Sequence, residues 1–91
     1  MLPQGMKENN AGIYPGYFLS LGMENEDVRN LQTYLKGIAD YSGVIPPIAV
    51  TGVFDEATRD AVAALQAQNL PPTGNVGPAT WNLIRRLYNA R

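Results

Sequence analysis

The chain has 91 residues, enough for a single domain around one hydrophobic core. Hydrophobic residues make up 45% and charged residues 16%, a globular balance rather than that of a disordered segment. A net charge of -1, with acids and bases interleaved, excludes both the basic footprint of a nucleic-acid binder and a polybasic membrane-surface segment.

Cysteine and histidine are both absent. Disulfides and thiolate chemistry are therefore out, as are the commonest general base and the commonest metal ligand, so no cofactor or metal is expected. No apolar run approaches the roughly 20 residues that span a bilayer, so membrane insertion is not expected. The start, Met1-Leu2-Pro3-Gln4-Gly5, lacks the apolar centre of a signal peptide. Export would then need a targeting segment outside this chain, or would proceed by another route.

Residues 1–18 carry Pro3, Gly5, Gly12, Pro15 and Gly16 without apolar periodicity and read as an N-terminal arm or linker, leaving 19–91 as the domain. Tyr14, Tyr17, Phe18 and Leu19 are too apolar for a free linker, so the end of the arm is expected to pack on the domain. The alternative is an exposed aromatic patch that binds a partner. A helix begins at Asn25, which can cap it, with Glu26 and Asp27 in the first turn where the dipole favours acids. Val28, Leu31, Leu35, Ile38 and Ala39 share one face, and Asp40, Ser42 and Gly43 end the pattern. Val44-Ile45-Pro46-Pro47-Ile48 cannot continue it, because consecutive prolines remove donors and restrict the preceding residue.

Val50-Thr51-Gly52-Val53-Phe54-Asp55 forms the next turn. Asp55 caps a second helix expected from about Glu56 to Gln68, with a stripe of Ala57, Ala61, Val62 and Leu65 and with Thr58 beside it. Leu70-Pro71-Pro72 stops that helix. Thr73-Gly74-Asn75-Val76-Gly77 repeats the turn, and Pro78 suits the first position of a third helix. Its expected stripe is Trp81, Ile84, Leu87 and Tyr88.

A shift of 22 residues lays Thr51-Gly52 on Thr73-Gly74, Thr58 on Thr80, Val62 on Ile84 and Leu65 on Leu87. Val28, Leu31 and Gln32 of the first helix match Val62, Leu65 and Gln66. One turn-helix unit thus occurs twice behind a related helix, and stacking these stripes makes an all-α, compact three-helix bundle.

Four ordered segments carry a family likeness. They are Leu19-Ser20-Leu21-Gly22, Asp27-Val28-x-x-Leu31-Gln32-x-x-Leu35, Thr51-Gly52-x-Phe54-x-x-x-Thr58-x-x-Ala61-Val62-x-x-Leu65-Gln66, and Leu70-x-x-Thr73-Gly74-x-Val76-Gly77-x-x-Thr80-Trp81-x-x-Ile84. Together they resemble the peptidoglycan-binding domain family of bacterial wall hydrolases, spore cortex-lytic proteins and phage lysins. The Ile45-Pro46-Pro47-Ile48 insertion resembles versions from Gram-positive bacteria. Asn25 and Asp55 stand where the family usually has glycine; both are good caps. The resemblance implies a non-catalytic module that binds peptidoglycan, through its glycan or stem peptide. It also implies an attached or associated catalytic domain, and action outside the cell or on the wall.

Gly52 and Gly74 are expected to supply backbone with positive φ. Phe54, Val76 and Trp81 are expected to anchor the turns in the core, and Gln32 and Gln66 to bond neighbouring turns rather than ligand. Leu70-Pro71-Pro72-Thr73-Gly74 matches the pattern that sortases cleave, but only a short amphipathic helix follows it. The clustered acids Asp55, Glu56 and Asp60 are accounted for by capping and the helix dipole, so no catalytic set emerges. The expected groove borders the turns before the second and third helices and the end of the first. The candidates there are Tyr41 for packing, Asp55 and Asn82 for amide or hydroxyl bonds, and Arg59 and Arg85 for carboxylates. Two other readings stay open: a protein-docking module of a phage, spore or wall assembly, and an inhibitory prodomain.

Overall fold

The structure, a computed structural model, describes residues 12–68 and 70–90. Three helices follow one another in the chain: α1 (Glu26–Ser42), α2 (Glu56–Gln66) and α3 (Pro78–Ala90). The first two start where their caps demand. The Asn25 side chain accepts from the Val28 N–H at 2.9 Å, and Asp55 accepts from the Thr58 N–H at 2.9 Å. Gly43, at φ 72°, closes α1 in the left-handed region and donates its N–H to the Ala39 carbonyl. The second helix stops two residues short of the sequence expectation, with Ala67 as its C-cap and the Leu70 N–H donating back to the Gln66 carbonyl at 2.6 Å.

α1 packs against α3 and, over a shorter stretch, against α2. Val28, Leu31, Leu35, Phe54, Val62, Leu65 and Ile84 are buried at the centre. Several positions differ from the periodic expectation. Ala57 is exposed and Thr58 takes the buried place, because the Thr58 hydroxyl has a partner inside. Ala39 is half-buried. On α3 the buried positions are Thr80, Trp81, Leu83 and Ile84, whereas Leu87 is 37% exposed. The core therefore covers the first half of α3 and leaves Leu87 at its margin. The segment after α1 is extended, with Ile45 and Ile48 turned inward and Pro46 and Pro47 outward.

The turns are fixed from within by glutamine. Gln32 Oε1 accepts from the N–H groups of Thr51 (2.9 Å) and Gly52 (2.8 Å), while its Nε2 donates to the Val53 carbonyl (2.8 Å) and to Thr58 Oγ1 (2.9 Å). The second copy repeats the device. Gln66 Oε1 accepts from the Gly74 N–H (2.8 Å), and Nε2 donates to the Asn75 carbonyl (2.8 Å) and to Thr80 Oγ1 (3.0 Å). Both glutamines are buried among leucines, where an unmet amide would be costly. Gly52 and Gly74 have φ of 87° and 82°, as the turn requires. The Thr73-Gly74 bond of the sortase-like pentapeptide is thus part of this braced turn.

The segment ahead of α1 ties both turns together. Leu19 pairs with Val76 in an antiparallel bridge, and Glu24 pairs likewise with Val53. Leu19 itself is fully buried. Upstream, Tyr14 lies edge-on to Trp81, and the Trp81 indole N–H donates to the Gly12 carbonyl at 3.0 Å. The arm's end therefore packs on the domain. Pro3 and Gly5 of the expected arm lie outside the described residues.

Replacing either glutamine by leucine should destabilise the domain by about 2–3 kcal/mol, because buried backbone groups lose their partners. Gln32→Leu should cost more than Gln66→Leu, since it strands two N–H groups of one turn. Urea unfolding measures both. Losses below about 0.5 kcal/mol would show that the turns hold without the amides.

Candidate functional site

The sequence-derived candidates fall in three places. Asp55 caps α2: besides the Thr58 N–H, its Oδ1 accepts from the Thr58 hydroxyl at 2.8 Å. Those two donors hold the Asp55 carboxyl below its ordinary range. Arg59 sits 3.8 Å from Glu56 and lays its stem across the second turn; a Cβ on Gly74 would come within 2.7 Å of Arg59 Cγ. Arg29 covers the first turn in the same manner, donating from Nη2 to the Thr51 carbonyl at 3.2 Å. Asp55 and Arg59 thus serve a cap and a turn.

Asn82 and Arg85 do come together. They line an open depression of about 500 Å³ on the outer side of α3, with Arg86, Asn89 and Ala90. Positions 82, 85, 86 and 89 follow the i, i+3, i+4, i+7 rule, so the helix itself aligns them in one polar stripe. Arg86 and Asn89 were not among the sequence candidates. The periodicity that marks apolar faces would have shown them had it been applied to polar residues.

Tyr41 belongs to an adjoining cavity of about 190 Å³ between the ends of α1 and α3, lined by Ile38, Val44, Gln68, Leu87 and Ala90 among others. Ala90 borders both hollows. Tyr41 is 70% exposed and so is open to a ligand. These two hollows lie along α3 and the end of α1, away from the turn before α2, which instead faces Asn25, Glu26 and Arg29 at the start of α1.

Trp81 is 3% exposed and is enclosed by Tyr14 and Tyr34, so it supports the fold and offers no stacking face. Tyr17 donates its hydroxyl to the Asp27 carboxylate, which pushes the phenol above its ordinary value. Among the described residues no group of three or more acids, histidines or cysteines could hold a metal ion.

A sequence model of the peptidoglycan binding domain family matches residues 24–84. The chain belongs to this family. Its family fold is the three-helix architecture described above, and the family's domain is a binding module. The chain is also 41% identical over 72 residues to the zinc D-Ala-D-Ala carboxypeptidase of Streptomyces albus G. That alignment covers 78% of this chain and 27% of the relative, so the chain spans about a quarter of that enzyme's length.

The cap at Asp55 has a pH signature. Its folded-state pKa lies below the unfolded value of about 3.9, so its contribution is present above that pH and is lost as pH falls through the folded pKa. Asp55→Ala should cost about 1 kcal/mol at neutral pH. Asp55→Asn keeps a cap, and any gap between wild type and this variant should narrow as the pH is taken from neutral to below the ordinary aspartate value of about 3.9. Unfolding curves at the two pH values give the comparison; a gap unchanged by acid would show the carboxylate to be inert.

Proposed function

We propose that this chain is a non-catalytic module that binds bacterial peptidoglycan and holds an attached catalytic partner on the cell wall. The observation that carries this reading is the family match over residues 24–84. The wall hydrolase relative, an enzyme named for D-Ala-D-Ala, supports a setting in which such a module accompanies a catalytic domain. The wall lies outside the cell, so the module acts there. No described helix is long and apolar enough to cross a membrane.

The outer face of α3 suits the task chemically. Peptidoglycan offers amides, hydroxyls and carboxylates on a flexible polymer. Asn82 and Asn89 carry amides that can meet the first two, and Arg85 and Arg86 carry guanidinium groups suited to the third. Tyr41 adds an aromatic edge beside them. A shallow polar face gives a weak single-site affinity, and retention on the wall then comes from the high local concentration of a repeating ligand. The docking alternative drew on exposed arm aromatics. Of these, Tyr14 packs on Trp81 and Tyr17 bonds Asp27, while Phe18 stays 62% exposed and keeps that second reading open.

Sedimentation with purified insoluble peptidoglycan tests the reading. The chain should pellet with the polymer, and Arg85→Ala combined with Arg86→Ala should weaken retention about tenfold. A chain that stays in the supernatant at every polymer concentration refutes peptidoglycan binding. Unchanged retention of the double variant moves the site off α3.

A further inference from the structure

The duplicated unit provides an internal control for what the scaffold needs. With the shift of 22, Asn82, Arg85, Arg86 and Asn89 of α3 fall on Asp60, Ala63, Ala64 and Ala67 at the α2 end of the chain. The turn-helix unit therefore folds with one acid and three alanines where α3 carries two amides and two guanidinium groups. The charge distribution follows the same division. α3 has two arginines and no acid, whereas α1 and α2 each hold one more acid than base. Arg29, Lys36 and Arg59 each face a carboxylate within their own helix. Among the described residues, neither Arg85 nor Arg86 does.

The apolar counterpart is equally specific to this end of the molecule. Leu65 is 1% exposed, while its copy Leu87 is 37% exposed and opens into the 190 Å³ cavity with Tyr41 and Val44. Two cations that face no carboxylate in their own helix thus stand one wall away from an open apolar hollow, and Ala90 is the shared wall.

We infer that the α3 face recognises the stem peptide of peptidoglycan and not its glycan, a deepening that rests on the wall-binding reading above. Arg85 and Arg86 take peptide carboxylates, Asn82 takes a backbone amide, and the hollow at Tyr41, Val44 and Leu87 takes a small apolar side chain. The glycan fits this arrangement poorly. A neutral N-acetylhexosamine chain gives the guanidinium groups no counter-charge, and the Trp81 face that could stack on a sugar is buried. A free stem peptide supplies both anionic and methyl groups within one short segment.

The test titrates the isotope-labelled full chain, followed by amide NMR, with three soluble probes. These are a synthetic stem peptide ending in D-alanine with free carboxylates, the same peptide with its carboxylates amidated, and a neutral N-acetylglucosamine tetramer. The free peptide should shift the signals of residues 41, 44, 82, 85–87 and 89, and amidation should weaken binding about tenfold or more. Leu87→Asp, at an exposed position, should weaken peptide binding while leaving the remaining spectrum folded. If the tetramer binds as well as the peptide, or if amidation changes nothing, the stem-peptide inference fails while wall binding stands. If the peptide shifts residues elsewhere, the α3 assignment is overturned. If the chain also fails to pellet with whole peptidoglycan, the underlying wall-binding reading fails with it.

Discussion

Two buried primary amides set the geometry from which the rest of the domain follows. Each Thr-Gly turn must direct both N–H and C=O groups into an apolar interior, and both kinds need partners there. Glutamine carries an acceptor and a donor at the end of one stem, so a single side chain from the preceding helix serves both. A glutamate would accept the N–H bonds but leave the carbonyls of Val53 and Asn75 without a donor. Once Gln32 and Gln66 hold the turns, Phe54 and Val76 enter the core at fixed points. The strand-like stretch from Leu19 to Asn25 then has backbone to pair with on both sides.

The two copies diverge just beyond this shared device. In the first, Thr58 accepts from Gln32 and donates to Asp55, so one hydrogen-bonded chain runs from α1 to the cap of α2. In the second, Thr80 accepts from Gln66, but no acid follows; Pro78 occupies the first helical position. Gly77 precedes it, and a Cβ there would meet the Phe18 ring at 2.5 Å. The start of α2 is therefore held electrostatically and that of α3 by shape. The arm reinforces the second arrangement, with Phe18 against Gly77 and Tyr14 against Trp81.

Much of this architecture is legible in the residues themselves. Caps at Asn25 and Asp55, the left-handed glycines and the inward glutamines are local features, and local chemistry decides them. What escaped depends on how the helices cross. A stripe of period 3.6 says which face turns inward but not how far along the helix the cover extends, so Leu87 read as core and Leu83 did not. Ala57 and Thr58 lie about 100° apart on the wheel; Thr58 keeps the i, i+3, i+4, i+7 spacing with Ala61, Val62 and Leu65, and Gln32 supplies the partner that lets its hydroxyl be buried. The pairing of residues 19–25 with both turns joins segments more than 25 positions apart and has no local signature. For the site, Tyr41, Asn82 and Arg85 belong to adjoining hollows. Asp55 and Arg59 are taken up by a cap and a turn, roles that the same acid and base types would equally suggest.

Separating the scaffold from the exposed face also explains how a domain this small can accommodate a ligand. Its core uses the inner sides of all three helices, and the buried polar groups are spent on the turns. The outer side of α3 contributes Asn82, Arg85 and Arg86 to neither, and the N-terminal half of that helix is already fixed by Trp81 and Ile84 in the core. A stripe carried on a helix anchored this way is pre-organised: the helix spaces its polar groups, and little backbone order remains to be gained on binding. Side-chain ordering of the two arginines is then the main conformational cost. That cost keeps each contact weak and exchangeable, which suits repeated contact with a repeating polymer.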